Sequence, residues 1–173
     1  LTGTIPALTY RPDLNYNGPD SLTFSVTDGT LSDTATVSIT VTAVNDAPIA
    51  DAQSVSTPED TDLSISLTGS DVDVDVLTYE VVTPPSNGSL TGTVPALTYS
   101  PDLNYNGSDS FTFRVTDGTL SDTATVSITI TAVNDAPIAD AQSVSTPEDT
   151  DLSISLTGSD VDLETLIYEV VTP

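Results

Sequence analysis

The chain is written nearly twice over. LTGTIPALTY at Leu1 returns as LTGTVPALTY at Leu90, and the offset of 89 residues holds to the end, so 1–84 align with 90–173 and only 10 of those 84 pairs differ. Whatever this chain folds into must satisfy the same apolar and polar pattern twice, as tandem copies of one unit do. The swaps at apolar positions are mild, for example Ile5/Val94, Leu22/Phe111 and Val41/Ile130. Such near-identity argues against a pair of distinct catalytic domains and for a protein whose length or valency matters.

The pattern within each copy has a period of two. Leu22, Phe24 and Val26 alternate with Ser21, Thr23 and Ser25, and Ala35, Val37, Ile39 and Val41 alternate with Thr34, Thr36, Ser38 and Thr40. Alternation of this kind is the mark of half-buried strands, and Thr suits the outward face of a strand. The expected strands run over roughly 51–56, 62–68, 76–83, 88–92, 95–100, 109–117 and 120–132. Seven short strands with turns between them imply an all-β sandwich. Asp28-Gly29, Asp117-Gly118 and Asn87-Gly88 are read as tight hairpin turns, with Pro84-Pro85 outside any central strand. Tyr16 and Tyr105, each in Asn-Tyr-Asn-Gly, are expected to anchor the corner before the penultimate strand.

VNDAP occurs at Val44–Pro48 and again at Val133–Pro137, after a long strand in each case. Read as an interdomain linker, it makes 45–133 one complete unit, 1–44 the C-terminal half of a preceding unit and 134–173 the N-terminal half of the next. Neither half can bury both faces alone. The chain reads either as a window from a longer repeat polypeptide or as a subunit whose halves are completed by identical copies head to tail, a heterologous contact that builds an open filament. It has no initiator Met and no signal peptide, and reads as a mature product or an excised segment.

Composition narrows the chemistry. There are 2 basic and 26 acidic side chains, a formal charge of −24, and no His, Cys, Met or Trp; both basic residues are Arg. That excludes structural zinc, disulfides, a thiol nucleophile, an imidazole base and a Lys Schiff base. The field repels phosphate, so neither nucleic acid nor an anionic membrane surface is an expected partner. No apolar run approaches the roughly 20 residues that cross a bilayer, so no membrane insertion is expected. A hard cation remains compatible, because Ca²⁺ takes carboxylate and carbonyl oxygens.

The order NDAP, PEDT, an Asp-Val-Asp turn, YSPDLNYNGSDSFTFRVTDG, a Thr-rich strand and NDAP again resembles the bacterial cadherin-like tandem repeats of large extracellular adhesins. The resemblance covers the whole chain. It implies Greek-key (Ig/cadherin-like) β-sandwiches of about seven strands per 89-residue repeat, strung end to end on a bacterial surface with calcium at the junctions. From the residues themselves no enzymatic activity is expected, since Ser and Thr have no His or Lys to activate them and no Trp is present to stack a sugar. The acidic turn departs from the usual Asp-x-Asp-Gly-Asp: it reads Asp71-Val72-Asp73-Val74-Asp75 and Asp160-Val161-Asp162-Leu163-Glu164, without the Gly.

Tracing the strands alternately down and up brings oxygen ligands together. The Pro58-Glu59-Asp60 loop, the corner at Asn104–Asp109 and the linker Asn134-Asp135 fall at one end, where the Asp160–Asp162 turn of the next unit begins. The expected junction set is Glu59, Asp60, Asp109, Asn134, Asp135, Asp160 and Asp162. Upstream the set is Asp20, Asn45, Asp46, Asp71 and Asp73, with Glu148 and Asp149 of a neighbouring copy as the counterparts of Glu59 and Asp60. Several carboxylates together repel, by about 1 kcal/mol per pair at 4 Å in water and more near protein; a divalent ion reverses that. Asp is also frequent in turns for its own backbone capping, the reading that suits Asp28 and Asp117. The alternative reading is a module whose outer strand faces grip a surface glycan or ice.

Overall fold

The computed structural model describes residues 1–172, and among them all regular structure is strand. In chain order these are β1 (Thr2–Thr4), β2 (Ala7–Thr9), β3 (Gly18–Thr27), β4 (Ser32–Val41), β5 (Ile49–Ala50), β6 (Gln53–Pro58), β7 (Leu63–Ser66), β8 (Gly69–Ser70), β9 (Thr78–Thr83), β10 (Gly88–Thr93), β11 (Ala96–Pro101), β12 (Gly107–Thr116), β13 (Ser121–Thr131), β14 (Ile138–Ala139) and β15 (Gly158–Ser159). The seven principal strands expected between 51 and 132 are all present, with ends moved by a residue or two. The short pair β5–β8 is additional. The chain divides into two compact units: one of Leu1–Ile49, Gly69–Thr78 and Val115–Asp122, the other of Ala50–Thr68, Tyr79–Arg114 and the chain from Thr123 onward.

The second unit carries the core. One sheet has the order β10-β11-β7 and the other β6-β13-β12-β9. Within them the period of two becomes burial: Phe111 and Phe113 on β12, Val126, Ile128 and Ile130 on β13, Leu97 and Tyr99 on β11, and Ile65 on β7 are all buried, with solvent-facing Thr and Ser between many of them. Each such side chain contributes about 1.5–3 kcal/mol relative to exposure. β7 pairs antiparallel with β11, Ile65 opposite Leu97, while β6 lies parallel to β13, Gln53 beside Val126. A parallel pair cannot be joined by a tight turn, so the first long strand of the sandwich waits on the last.

Asn87-Gly88 is not the hairpin turn that its composition suggests. β9 and β10 belong to different sheets, so Pro84–Asn87 is a crossover. Gly88 serves close approach instead: a Cβ there would lie 2.6 Å from the Ser100 carbonyl oxygen and 2.6 Å from the Tyr99 ring.

In the first unit, β3 and β4 form a long antiparallel hairpin with Leu22 opposite Val37 and Phe24 opposite Ala35, and β1 pairs with β2. Its apolar face is open, with Phe24 46% and Val26 63% exposed. The Asp turns behave as backbone caps. Asp28 Oδ1 accepts from Thr30 N–H and Leu31 N–H, and Asp117 Oδ1 does the same for Thr119 and Leu120. Tyr16 and Tyr105 donate their hydroxyls to the carbonyls of Pro19 and Ser108, three residues ahead; a tyrosine corner bonds back to backbone upstream, so these rings instead tie each turn to the start of the strand that follows it, β3 and β12.

Residues 45–73 return unchanged as 134–162, yet only the first copy contains the long strands. Its β6 and β7 have β13 and β11 beside them; residues 140–157 carry no strand. A strand has no internal hydrogen bonds, so its backbone groups need a neighbour to define it.

Candidate metal centre

Within the second unit the acidic turn Asp160-Val161-Asp162 folds on itself. Asp160 Oδ1 accepts the Asp162 N–H at 2.9 Å, and the Asp160 carbonyl accepts the Leu163 N–H at 3.3 Å. Asp162 Oδ2 then receives the Asp135 N–H at 2.7 Å, which ties the linker to the turn. From the other side comes Glu59, only 3% exposed. Its backbone N–H donates to the Thr131 carbonyl, and its Oε1 accepts the Val133 N–H. Next to it Asp60, at φ 55°, accepts the Asn104 N–H through Oδ1.

Asp135 records the result. Its Oδ2 is shut off from solvent and has no hydrogen-bond partner. Its carboxyl pKa is raised, first by loss of water and then by the charges of Asp162, Asp60, Glu59 and Asp160. Five carboxylates thus share one neighbourhood, and the ion pair recorded among the described residues, Arg114 with Glu80, involves none of them. An all-oxygen donor set with an orphaned, dehydrated carboxylate oxygen fits a hard cation such as Ca²⁺.

The first unit repeats this turn. Asp71 Oδ1 accepts the Asp73 N–H at 2.7 Å, and Asp73 Oδ2 accepts the Asp46 N–H at 2.8 Å. Carboxylate oxygens of Asp71, Asp73 and Asp75 lie within 4.8 Å of one another, and Asp71 Oδ2 is a second buried oxygen without a partner. Here too the oxygens fit a hard cation. Asp75 is the residue that the expected ligand set omits, although its spacing from Asp71 and Asp73 points to it. The absent Gly leaves the turn in place: Val74 and Leu163 occupy its position at φ 63° and 61°, in the left-handed region that a β-branched residue such as Val74 seldom adopts.

Other expected ligands are engaged elsewhere. Asp109 Oδ1 accepts from the N–H groups of Ser86 and Ser110, and Oδ2 from Asn87 N–H and the Tyr99 hydroxyl. Burial pushes its carboxyl upward, but these four donors outweigh that and hold it below its ordinary pKa. Tyr99 is raised in turn, by burial and by Asp109. Asp109 therefore staples the crossover to β11 and β12, and its acid is used by the fold. Its counterpart Asp20 is held by the Tyr10 hydroxyl and the Ser21 N–H, which lower its carboxyl, while Tyr10 is raised to about 12 mainly by the bond to Asp20. Asn45 turns to the hairpin, donating to Asp117 Oδ2 and Thr119 Oγ1; this bond, with the Leu120 and Thr119 N–H groups, pulls Asp117 well below the carboxylate range. Asn134 donates to the carbonyl of Asp135. Glu148 and Asp149 are exposed.

Comparison with known proteins places the chain in a family. The chain is 34% identical over 144 residues to integrin beta-like protein A of Dictyostelium discoideum, a match that takes in 69% of this chain and 7% of that protein. Among solved structures, protocadherin gammaB7 domains EC3-6 superpose with a TM-score of 0.55 at 16% identity, covering 83% of this chain and 44% of that one. Protocadherin gamma B2 cadherin domains 1–5 superpose at 0.52 with 19% identity, covering 83% and 32%. At these identities the likeness shows the fold, a cadherin-type β-sandwich. A sequence profile described as "Bacterial Ig domain" matches residues 1–40 and 45–129, and with it the chain belongs to the bacterial Ig domain family as a cadherin-like repeat.

Proposed function

We propose that this chain is part of a calcium-stiffened spacer in an adhesive repeat array at a bacterial surface, with a mechanical rather than a catalytic task. One observation carries the reading: the Asp135 carboxylate, with its Oδ2 dehydrated and unpartnered, crowded by Glu59, Asp60, Asp160 and Asp162. A divalent cation there turns the repulsion into attraction and binds the linker at Val133–Asp135 to the Glu59 loop and the Asp160 turn. Asp71, Asp73, Asp75 and Asp46 offer the same chemistry one repeat upstream. The family match and the cadherin-type sandwich support an extracellular, adhesion-type repeat. Among the described residues no helix is long and apolar enough to cross a membrane.

Extracellular calcium modules bind at about 10⁻⁴–10⁻³ M, so a site at ten times its Kd adds about 1.4 kcal/mol. Linker stiffness, more than global stability, is then the product. The test is limited proteolysis with a broad-specificity protease. In calcium, cutting at Asn45–Pro48 and Asn134–Pro137 is slow; with chelator it accelerates, and Asp135→Asn removes the protection at the second linker. Equal cutting with and without calcium overturns the reading.

A further inference from the structure

We propose that a shallow cleft on the outer face of the β6-β13-β12-β9 sheet, walled by Ser86 and Asn87 and floored by Ser108, Ser110, Ser127 and Thr129, binds a short stretch of an uncharged polysaccharide. This reading is independent of calcium.

The cleft lies wholly within the second compact unit and has a volume of about 440 Å³. Its floor follows from the period of two. Phe111 and Phe113 on β12 and Val126, Ile128 and Ile130 on β13 fill the core, so Ser108, Ser110, Ser127 and Thr129 stand on the opposite, exposed face. β6 extends that face: Ser54 pairs with Ser127 and Ser56 with Thr129, and both serines are exposed. Three adjacent strands thus set hydroxyls about 4.8 Å apart across the sheet and about 6.7 Å apart along it. The wall belongs to the crossover between β9 and β10, and Asp109 fixes it. From inside the sandwich its carboxylate accepts the N–H groups of Ser86 and Asn87 at 3.0 Å and of Ser110 at 2.8 Å. Wall and floor are therefore held together before any ligand arrives.

The six side chains are left over for a ligand. Ser86, Asn87 and Ser110 serve the fold through their N–H groups, and Ser108 through its carbonyl, which accepts the Tyr105 hydroxyl. Among the described residues none of the six side chains hydrogen bonds to another protein group. Asn87 is half-buried and brings two donors and an acceptor, and each hydroxyl brings one donor and two acceptor lone pairs. All six are neutral in a chain of 26 acidic and 2 basic side chains. The carboxylate among the lining residues, Asp109, is turned inward and occupied by four donors. A cation finds no free carboxylate here. An anion finds no base and a net field that repels it. What fits is uncharged and dense in groups that both donate and accept, which describes the hydroxyls of a neutral sugar. No aromatic ring lines the cleft for stacking, so affinity rests on hydrogen bonds of modest net worth and gains from repetition along an array.

The upstream copy of this face keeps Ser21, Ser38 and Thr40 but has Pro19 where Ser108 stands. Pro19 pairs with Thr40 inside β3–β4, so the motif itself shows that Ser108→Pro is compatible with the strand.

Affinity electrophoresis of the 173-residue chain in native gels tests this, with dextran, galactomannan and polygalacturonate as the embedded polymers. Wild type is retarded by at least one of the neutral polymers and not by the acidic one, equally in calcium and in chelator. Ser108→Pro combined with Thr129→Val weakens retardation about tenfold, and Ser127→Ala alone about threefold. Thr125→Val, on the same exposed face outside the cleft, leaves it within about twofold. Thermal unfolding checks that each variant keeps its fold. No retardation by either neutral polymer overturns the proposal, as does a Thr125→Val loss equal to that of the cleft variants. A chain that ignores the polymers and instead slows the growth of ice crystals assigns the hydroxyl face to ordered water and overturns it too. If linker proteolysis ignores calcium while retardation persists, the calcium reading fails and this one stands; if proteolysis responds and retardation is absent, the reverse holds.

Discussion

Glu59 reaches over 74 residues of sequence to accept the backbone N–H of Val133 through Oε1. The bond fastens the loop after β6 to the first residue of the linker that leaves β13. It places a buried carboxylate beside Asp135, so one side chain serves both the fold and the acid cluster.

The two roles separate by substitution. Glu59→Gln keeps an acceptor for Val133 and loses the charge; Glu59→Ala loses both. Without calcium, the Ala variant loses about 1–3 kcal/mol by leaving the Val133 N–H unpaired, and the Gln variant loses less. With calcium, neither gains the thermal protection of wild type. Thermal unfolding with and without calcium measures this, and a Gln variant protected as strongly as wild type would remove Glu59 from the ligand set.

Val74 holds φ 63° in the acidic turn. A left-handed residue with a Cβ costs about 1–2 kcal/mol, and Gly relieves it while giving back part through the freer unfolded chain. Val74→Gly is therefore expected to stabilise by about 0.5–1 kcal/mol, raising the midpoint of thermal unfolding by a few degrees. No change, or a loss, would mean that the Val74 side chain makes contributions that outweigh the strain.

Asp109 gives the fold an acid-sensitive staple. Its pKa is lower folded than unfolded. Its stabilisation is thus complete above the ordinary carboxylate range and is lost as pH falls through the lower folded value. Asp109→Asn, which accepts fewer bonds, should cost about 1–3 kcal/mol at pH 7, and the gap to wild type should shrink below about pH 4. Denaturant unfolding at pH 7 and pH 3 measures the two gaps; equal gaps contradict the assignment.

Phe113 and Phe24 are the same residue in the two copies of one motif, fully buried and 46% exposed respectively. Phe113→Ala should cost about 3–5 kcal/mol of unfolding stability. Phe24→Ala, at a ring already 46% exposed, should cost far less. Equal losses in thermal or denaturant unfolding would show that the two rings are packed alike.

Much of this was legible in the residues because the signals are local. Alternation located the strands, and the Asp28 and Asp117 turns follow from a side chain capping its own backbone. The Asp-x-Asp turn kept its shape because Asp71 and Asp160 hold it with their own oxygens, whatever residue follows. What escaped was non-local. Asp109 has the type and the place of a ligand, and only the arrival of Ser86, Asn87 and Tyr99 takes its oxygens away. Gly88 has the composition of a turn, and only the Tyr99 ring beneath it reveals a packing role.

The parallel pairing of β6 with β13 couples residue 53 to residue 126. During synthesis, then, the opening strands of each sandwich emerge well before the strand that holds them and must stay unpaired in the meantime. Because 45–73 and 134–162 are identical, a late-arriving strand meets two indistinguishable suitors. Exchange between neighbours, a known hazard of repetitive chains, is limited here by order of appearance and by tether length rather than by any difference in side chains.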